Sequence, residues 1–268
     1  MDVDIHIRDD GEGTPVLMLH GWPDTGDLWR YQAQALAADG YRVIRPDLRG
    51  LGKSAKPADP RLYRARELVG DLTRVLDECG IDRVHLVGHD WGAAVAWVAA
   101  ATRPDRISSL AVLSAGHPAA FRRAGTRQRE KSWYTLLFQF PGIAEQWLSD
   151  NDFRRLRTWT GHPEIEDAVE RFRDPQALTA SLNLYRAMAS PQTLVDPVPQ
   201  LPRIQCPVMG VWSTGDMALT EQQMTGSSEY VDGPWRYERI DGAGHWMQLE
   251  RPDEVTALLK SFLESVPR

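Results

Sequence analysis

Five residues in the first half of the chain have the spacing of a turn that exposes a nucleophile. The motif GHDWG at 88–92 follows the apolar run 84–87 and precedes the small-residue stretch 93–101. A glycine two residues on either side of the central residue allows the tight strand-to-helix turn in which a nucleophile is exposed. The central residue is usually serine, whereas here it is Asp90.

The aspartate changes the reaction that such a turn can perform. An aspartate is already ionised at neutral pH and needs no base to activate it. Its attack on an ester carbonyl would give an anhydride, which is a poor intermediate, whereas attack on a saturated carbon gives an alkyl ester that water can hydrolyse. Asp90 therefore indicates cleavage of a carbon–oxygen or carbon–halogen bond.

Hydrolysis of an alkyl ester needs a general base, and the C-terminal part of the chain offers one. His245 stands in the glycine-flanked segment GAGHW at 242–246. Asp216, in STGD directly after the apolar run 208–212, is the acid expected to fix the histidine tautomer. The chain order of nucleophile, acid and histidine is the one found with this kind of turn.

Apolar runs and amphipathic stretches alternate in the first half of the chain, and they predict the framework that positions these residues. Strand candidates lie at 16–19, 41–44, 84–87 and 110–113, with predicted helices at about 27–38, 64–79 and 93–101 between them. This alternation is typical of an α/β fold with a mostly parallel, doubly wound sheet that helices cover on both faces.

The rhythm changes after the fourth predicted strand. From about 116 to 199 the β-branched runs disappear and aromatic residues recur with helical spacing. The proline-rich segment 195–202 follows, and strand character returns at 207–212. The simplest interpretation is a helical cap at 116–199 inserted into a core domain that consists of 1–115 and 200–268.

The segment HGWPD at 20–24 comes directly after the first predicted strand. With a nucleophile turn of this kind, such a loop supplies one backbone N–H of an oxyanion hole, here from Trp22. The residue after the nucleophile, Trp91, is expected to supply the other. We expect His20 to brace the loop and to have no direct catalytic role.

Five motifs, HGWPD, DLRGLGKS at 47–54, GHDWG, STGD and GAGHW, together resemble the α/β-hydrolase superfamily. Within it the chain is similar to the epoxide hydrolases that use an aspartate nucleophile, and the resemblance covers nearly the whole chain. It implies an α/β-hydrolase fold and a cofactor-independent enzyme that opens a small apolar epoxide to a vicinal diol.

The proton donor separates epoxide from halide chemistry, because an epoxide opens to an alkoxide that must be protonated. In the epoxide hydrolases two tyrosines of the cap donate this proton. Tyr185, in an Asn-x-Tyr-Arg context, matches the second of these tyrosines. Leu137 stands where the first is expected. We expect Tyr185 to act alone and Tyr134, one helical turn before Leu137, to be a packed aromatic. Candidate substrate contacts in the cap are Trp133, Tyr134, Leu137 and Phe138.

Two other functions stay open. A haloalkane dehalogenase would use the same triad and the indole of Trp91 as a halide donor, although Trp22 replaces the asparagine that commonly supplies the second donor. A non-catalytic ligand-binding relative typically loses a triad residue, and all three are present here.

Composition limits the partners. A net charge of -6 argues against a nucleic-acid partner. The seven histidines and two cysteines show no metal-ligand spacing, so no metal is expected. Because no apolar run reaches the length of a membrane span, we expect no membrane partner and a cytoplasmic location. One basic segment (Arg122, Arg123, Arg127, Arg129 and Lys131) is interpreted as a solvated face, or alternatively as steering an anionic substrate.

Overall fold

A single seven-stranded sheet forms the centre of the computed structural model, which describes residues 3–198 and 200–266. The strands are β1 (Ile7–Asp10), β2 (Thr14–Leu19), β3 (Tyr41–Pro46), β4 (Val84–His89), β5 (Ile107–Leu113), β6 (Val208–Ser213) and β7 (Trp235–Ile240). Their order is β1-β3-β2-β4-β5-β6-β7. Only β1 runs antiparallel to its neighbour within this sheet, which confirms the predicted mostly parallel α/β architecture.

Helices connect and cover the strands. They are α1 (Arg30–Ala38), α2 (Ala65–Glu78), α3 (Trp91–Thr102), α4 (Pro118–Arg123), α5 (Gly125–Lys131), α6 (Tyr134–Leu137), α7 (Ile143–Thr160), α8 (Ile165–Phe172), α9 (Pro175–Met188), α10 (Glu221–Thr225), α11 (Met247–Glu250) and α12 (Pro252–Ser265). Among the described residues, no helix combines the length and the apolar composition that crossing a membrane requires.

The core lies on both faces of the sheet, because side chains alternate along each strand. In β2, Leu17 and Leu19 belong to one buried apolar cluster, whereas Val16 and Met18 belong to a second. The central strands are buried on both faces and therefore read as continuous apolar runs in the sequence.

Helices α4 to α9 lie between β5 and β6, and we call them the helical insertion. Its inner side chains, including Tyr134, Phe138 and Leu148, join the same buried cluster as Trp22 and Leu48 of the sheet domain. The division into a core at 1–115 and 200–268 and a cap at 116–199 stays a prediction. Its end residues Met1, Asp2, Pro199, Pro267 and Arg268 lie outside the described residues.

Candidate active site

Asp90 lies at the sharp turn between β4 and α3. Its backbone has φ 53° and ψ −119°, a conformation that side-chain-bearing residues adopt only under constraint. The flanking glycines are required by space: a Cβ at Gly88 would lie 2.6 Å from the carbonyl oxygen of Gly92, and one at Gly92 would lie 2.3 Å from that of Leu19. The turn thus exposes the Asp90 carboxylate at the carboxyl edge of the parallel strands.

His245 lies between Asp90 and the other predicted triad residue, Asp216. Its Nδ1 is 3.0 Å from Asp216 Oδ2, and its Nε2 is 3.7 Å from Asp90 Oδ2. The second oxygen of Asp216 accepts the backbone N–H groups of Ala218 and Leu219, both at 2.9 Å. The structure therefore brings the three sequence-predicted residues together in the predicted order of contact.

The two carboxylates determine the charge of this histidine. Burial alone lowers the pKa of His245, but the carboxylates of Asp216 and Asp90 outweigh burial and raise this pKa to about 10. Burial likewise opposes ionisation of Asp216, yet His245 and the two backbone N–H donors hold the pKa of Asp216 below its ordinary value. The two carboxylates therefore favour the protonated, imidazolium form of His245 in the unreacted site.

The loop after β2 binds the other oxygen of Asp90. The backbone N–H of Trp22 donates to Asp90 Oδ1 at 3.0 Å. Gly21 allows this approach, because a Cβ there would lie 2.4 Å from both the Cβ and the Oδ1 of Asp90. Trp91, the second residue expected in the oxyanion hole, begins α3 directly after Asp90, and its buried indole Nε1 makes no well-formed hydrogen bond among the described residues, although it interacts with the Tyr185 phenol.

His20 has a structural position. Its Nε2 accepts the backbone N–H of Leu48 at 2.8 Å, and its Nδ1 lies 2.8 Å from the carbonyl oxygen of Gly21. Burial lowers the pKa of His20, so the imidazole is neutral at pH 7. These bonds join the loops after β2 and β3, which is the bracing role expected from the sequence.

Two tyrosines, Tyr185 of α9 and Tyr134 of α6, line the site opposite the turn. Their ring centroids are 6.0 Å apart, and the ring of Tyr185 lies 5.0 Å from that of Trp91. Both are buried. Burial raises the pKa of each phenol well above its ordinary value, and the charge of Asp90 adds to both shifts. Tyr134 is thus a packed aromatic, as expected, and the charge of Asp90 also acts on its phenol.

The other predicted contact residues of the insertion differ in burial. Phe138 is fully buried, with its ring centroid 5.6 Å from that of Trp22 and 4.9 Å from that of Tyr185. Leu137 is half-buried against the apolar cluster. Trp133 is exposed and adjoins Tyr134 rather than the reacting groups.

Several residues that support the site were not predicted from the sequence. Asp24 Oδ2 accepts the indole N–H of Trp246 at 2.9 Å, and Asp24 Oδ1 lies 2.9 Å from His162 Nε2 in the helical insertion. His89 Nε2 donates to the backbone carbonyl of His245 at 2.9 Å. Nothing in the sequence pairs His162 with Asp24, whereas the position of His89 beside the nucleophile was a usable signal.

Residues 14–252 match the family described as alpha/beta hydrolase fold, and the chain belongs to that family. Epoxide hydrolase A of Mycobacterium tuberculosis (strain ATCC 25618 / H37Rv) is 34% identical, with 97% of this chain and 94% of the relative covered. Epoxide hydrolase 4 of Homo sapiens is 31% identical, with 96% and 74% covered.

Solved structures agree with these relatives. Epoxide hydrolase A from Mycobacterium thermoresistibile has a TM-score of 0.81 at 30% identity, over 99% of this chain and 96% of that one. A novel epoxide hydrolase from metagenomes of hot environments has a TM-score of 0.87 at 29% identity, over 97% and 95%. The chain is therefore related to epoxide hydrolases over nearly its whole length.

Proposed function

We propose that this protein hydrolyses small apolar epoxides to vicinal diols through a covalent ester on Asp90. Relatedness to epoxide hydrolases supports the reaction class. The observation that supports the proposal within this chain is a pair of buried phenols beside the turn after β4: the ring of Tyr185 lies 5.0 Å from that of Trp91, the residue after Asp90, and the ring of Tyr134 lies 6.0 Å from that of Tyr185. A neutral acid beside a nucleophilic carboxylate is what opening an epoxide requires.

In the first step Asp90 Oδ2 attacks a ring carbon of the epoxide and the carbon–oxygen bond breaks. Oδ2 is the attacking atom because Oδ1 already accepts the N–H of Trp22. The departing alkoxide takes a proton from Tyr185 or Tyr134. Their raised pKa values keep both phenols protonated until the much more basic alkoxide forms.

Ester formation then converts His245 into a base. The ester removes the negative charge of Asp90, and with it one of the two influences that raise the pKa of His245. The imidazolium returns a proton to the tyrosinate left by ring opening. Neutral His245, oriented by Asp216, then deprotonates a water molecule that attacks the ester carbonyl.

The second step needs stabilisation of the anion that develops on Asp90 Oδ1. The Trp22 N–H already points at this atom, and we propose the N–H of Trp91 as the second donor. Collapse of the tetrahedral intermediate releases the diol and restores the carboxylate. We further propose that the helical insertion acts as the cap, because α6 and α9 supply the two phenols.

The test is direct conversion of an epoxide. Purified protein is expected to convert styrene oxide to its diol, and His245→Gln is expected to accumulate an adduct whose mass exceeds that of the protein by one substrate. Under single turnover in heavy-oxygen water, the label is expected in the Asp90 carboxylate. A labelled diol with an unlabelled Asp90 would exclude the covalent route.

A haloalkane dehalogenase is the second candidate, and one observation favours it. The buried indole N–H of Trp91 makes no well-formed hydrogen bond among the described residues and could turn from the Tyr185 phenol to hold a departing halide. A departing halide needs no proton donor, however, so dehalogenation would leave the two buried phenols without a role. Bromide release from 1-bromobutane without diol formation from any epoxide would reverse the ranking.

A further inference from the structure

A row of large apolar side chains lies exposed on the helical insertion. Trp133, Leu136, Phe140 and Ile143 are 46%, 53%, 50% and 58% exposed. They are spaced three, four and three residues apart along α6, the turn that follows it and the first residue of α7, where Gly142 interrupts the helical backbone with φ 78°. Backbone hydrogen bonds of helical type join the turns, from Leu136 N–H to Trp133 and from Ala144 N–H to Phe140. We call these four residues the exposed stripe.

Exposed large hydrophobic residues are concentrated in the exposed stripe and are not scattered over the surface. Four of the six large hydrophobic residues that are exposed within the described ranges belong to it. Tyr134 and Phe138, which alternate with them along the chain, are buried, and so is Ala144 directly after Ile143. The same short segment therefore has one apolar side in the protein interior and a second apolar side in solvent, and contiguous exposed apolar surface marks an interaction site.

Positive charge lies immediately before the exposed stripe. Residues 122–131 contain five basic residues and the single acid Glu130, although the whole chain has a net charge of -6. Arg127 and Arg129 are exposed and have no ion-pair or hydrogen-bond partner among the described residues. Arg129 stands four residues before Trp133, so it continues the spacing of the stripe.

The exposed stripe also adjoins the candidate active site. The ring of Trp133 lies 6.5 Å from that of Tyr134, and Tyr134 in turn lies 6.0 Å from Tyr185. A series of aromatic rings thus leads from Trp133 through Tyr134 to Tyr185, whose ring lies 5.0 Å from that of Trp91.

We propose that the exposed stripe and the basic segment 122–131 form a docking surface for an anionic lipid bilayer. Apolar side chains beside unpaired arginines are the combination that binds the headgroup region of such a bilayer. A second copy of this chain is the less suitable occupant, because pairing two stripes would bring two positive segments together. The proposal departs from the sequence-based expectation of no membrane partner, which considered only spanning segments.

Docking explains how an apolar substrate reaches a buried site. Apolar epoxides partition into lipid. When the exposed stripe lies in the headgroup region, Trp133 and the aromatic rings that follow it toward the site lie at the surface of the bilayer that holds the epoxide. The docking itself does not depend on the proposed reaction, so vesicle binding and diol formation are separate measurements.

The experiment is co-sedimentation with vesicles of phosphatidylcholine, with and without phosphatidylglycerol. We expect binding to the anionic vesicles only, weakened by salt because screening is strong beyond about 8 Å at physiological ionic strength. Arg127→Gln with Arg129→Gln removes two charges worth about 1 kcal/mol each, so the partition coefficient should fall roughly thirtyfold. Leu136→Ser with Phe140→Ser should lower it at least about tenfold.

Matched controls lie elsewhere on the surface. Arg61→Gln with Arg66→Gln removes two exposed arginines, and Tyr31→Ser removes an exposed aromatic residue outside the stripe. These should bind anionic vesicles like the parent, and circular dichroism checks that every variant is folded. Absence of binding to anionic vesicles, or equal losses in test and control variants, would overturn the proposal. So would a dimer in sedimentation equilibrium that the Leu136 and Phe140 changes dissociate.

Discussion

Asp24 accepts the indole N–H of Trp246, the residue next to His245, at 2.9 Å. Its other oxygen lies 2.9 Å from Nε2 of His162. We predict that Asp24→Ala destabilises the protein by about 1–3 kcal/mol for each buried donor left without a partner. We also expect lower turnover, because the segment that presents His245 loses its anchor. Denaturant unfolding and diol formation measure the two effects.

The stability that Asp24 contributes is expected to depend on pH. Burial opposes ionisation of Asp24, but the imidazoles of His162 and His20 hold the pKa of Asp24 below the ordinary 3.8. The contribution of a carboxylate with a lowered pKa is present above its unfolded pKa and is lost as the pH falls through the folded value. The stability difference between the parent and Asp24→Asn should therefore shrink in acid, and a difference that grew there would contradict this account.

The charge of Asp90 is expected to control the titration of His245. In the parent protein this pKa is raised to about 10, so the imidazole should stay protonated through neutral pH. Asp90→Asn mimics the neutral ester and removes one carboxylate, so the pKa of His245 should fall. Nitrogen-15 NMR of the imidazole gives both values. An unchanged pKa would mean that ester formation does not activate the base.

The two phenols are predicted to act together. Tyr134→Phe and Tyr185→Phe should each lower kcat for an epoxide, and the double variant should lose at least about a hundredfold, the lower limit of acid catalysis. Tyr63→Phe is the matched control, because Tyr63 is also buried but donates to the carbonyl of Pro57. If Tyr134→Phe behaves like the control, Tyr185 is the sole donor.

Close packing at Gly21 gives a further prediction. Gly21→Ala would place a Cβ 2.4 Å from Asp90 Oδ1, so the Asp90 carboxylate or the Trp22 N–H must move and activity should be lost. Gly70→Ala is the control, since no atom lies within 4 Å of a Cβ there. In the middle of α2 it should stabilise the protein by about 0.5–1 kcal/mol. Turnover and thermal unfolding distinguish the two variants.

The central sheet was predictable from sequence because its strands are buried on both faces and read as apolar runs. The edge strands β1 and β7 were not predicted. Each pairs with one neighbour only, and their sequences IRDD and WRYERI mix charged residues with apolar ones. Such strands depend on the sheet beside them for their pairing, so local composition does not identify them.

The candidate site likewise contains residues that the sequence indicated and contacts that it did not. Asp90, Asp216 and His245 stand in glycine-marked turns whose chemistry is local, and spacing alone indicated them. The 6.0 Å spacing of the Tyr134 and Tyr185 rings depends on how α6 packs against α9. The contact between Asp24 and His162 joins residues that are 138 positions apart in the chain. Contacts of this kind depend on tertiary packing, and the periodicity of a single sequence does not reveal which distant residues will meet.

The HGWPD loop is bonded to the helical insertion at three points. Ser181 Oγ accepts the indole N–H of Trp22 at 3.1 Å, Arg171 donates to the carbonyl of Pro23 at 3.0 Å, and His162 meets Asp24. Because the backbone N–H of Trp22 also binds Asp90, substitutions that reshape α8 or α9 for a new substrate should alter the position of the proposed nucleophile as well as the fit of the substrate. Redesign of specificity in this enzyme should therefore begin at positions outside these three tethers.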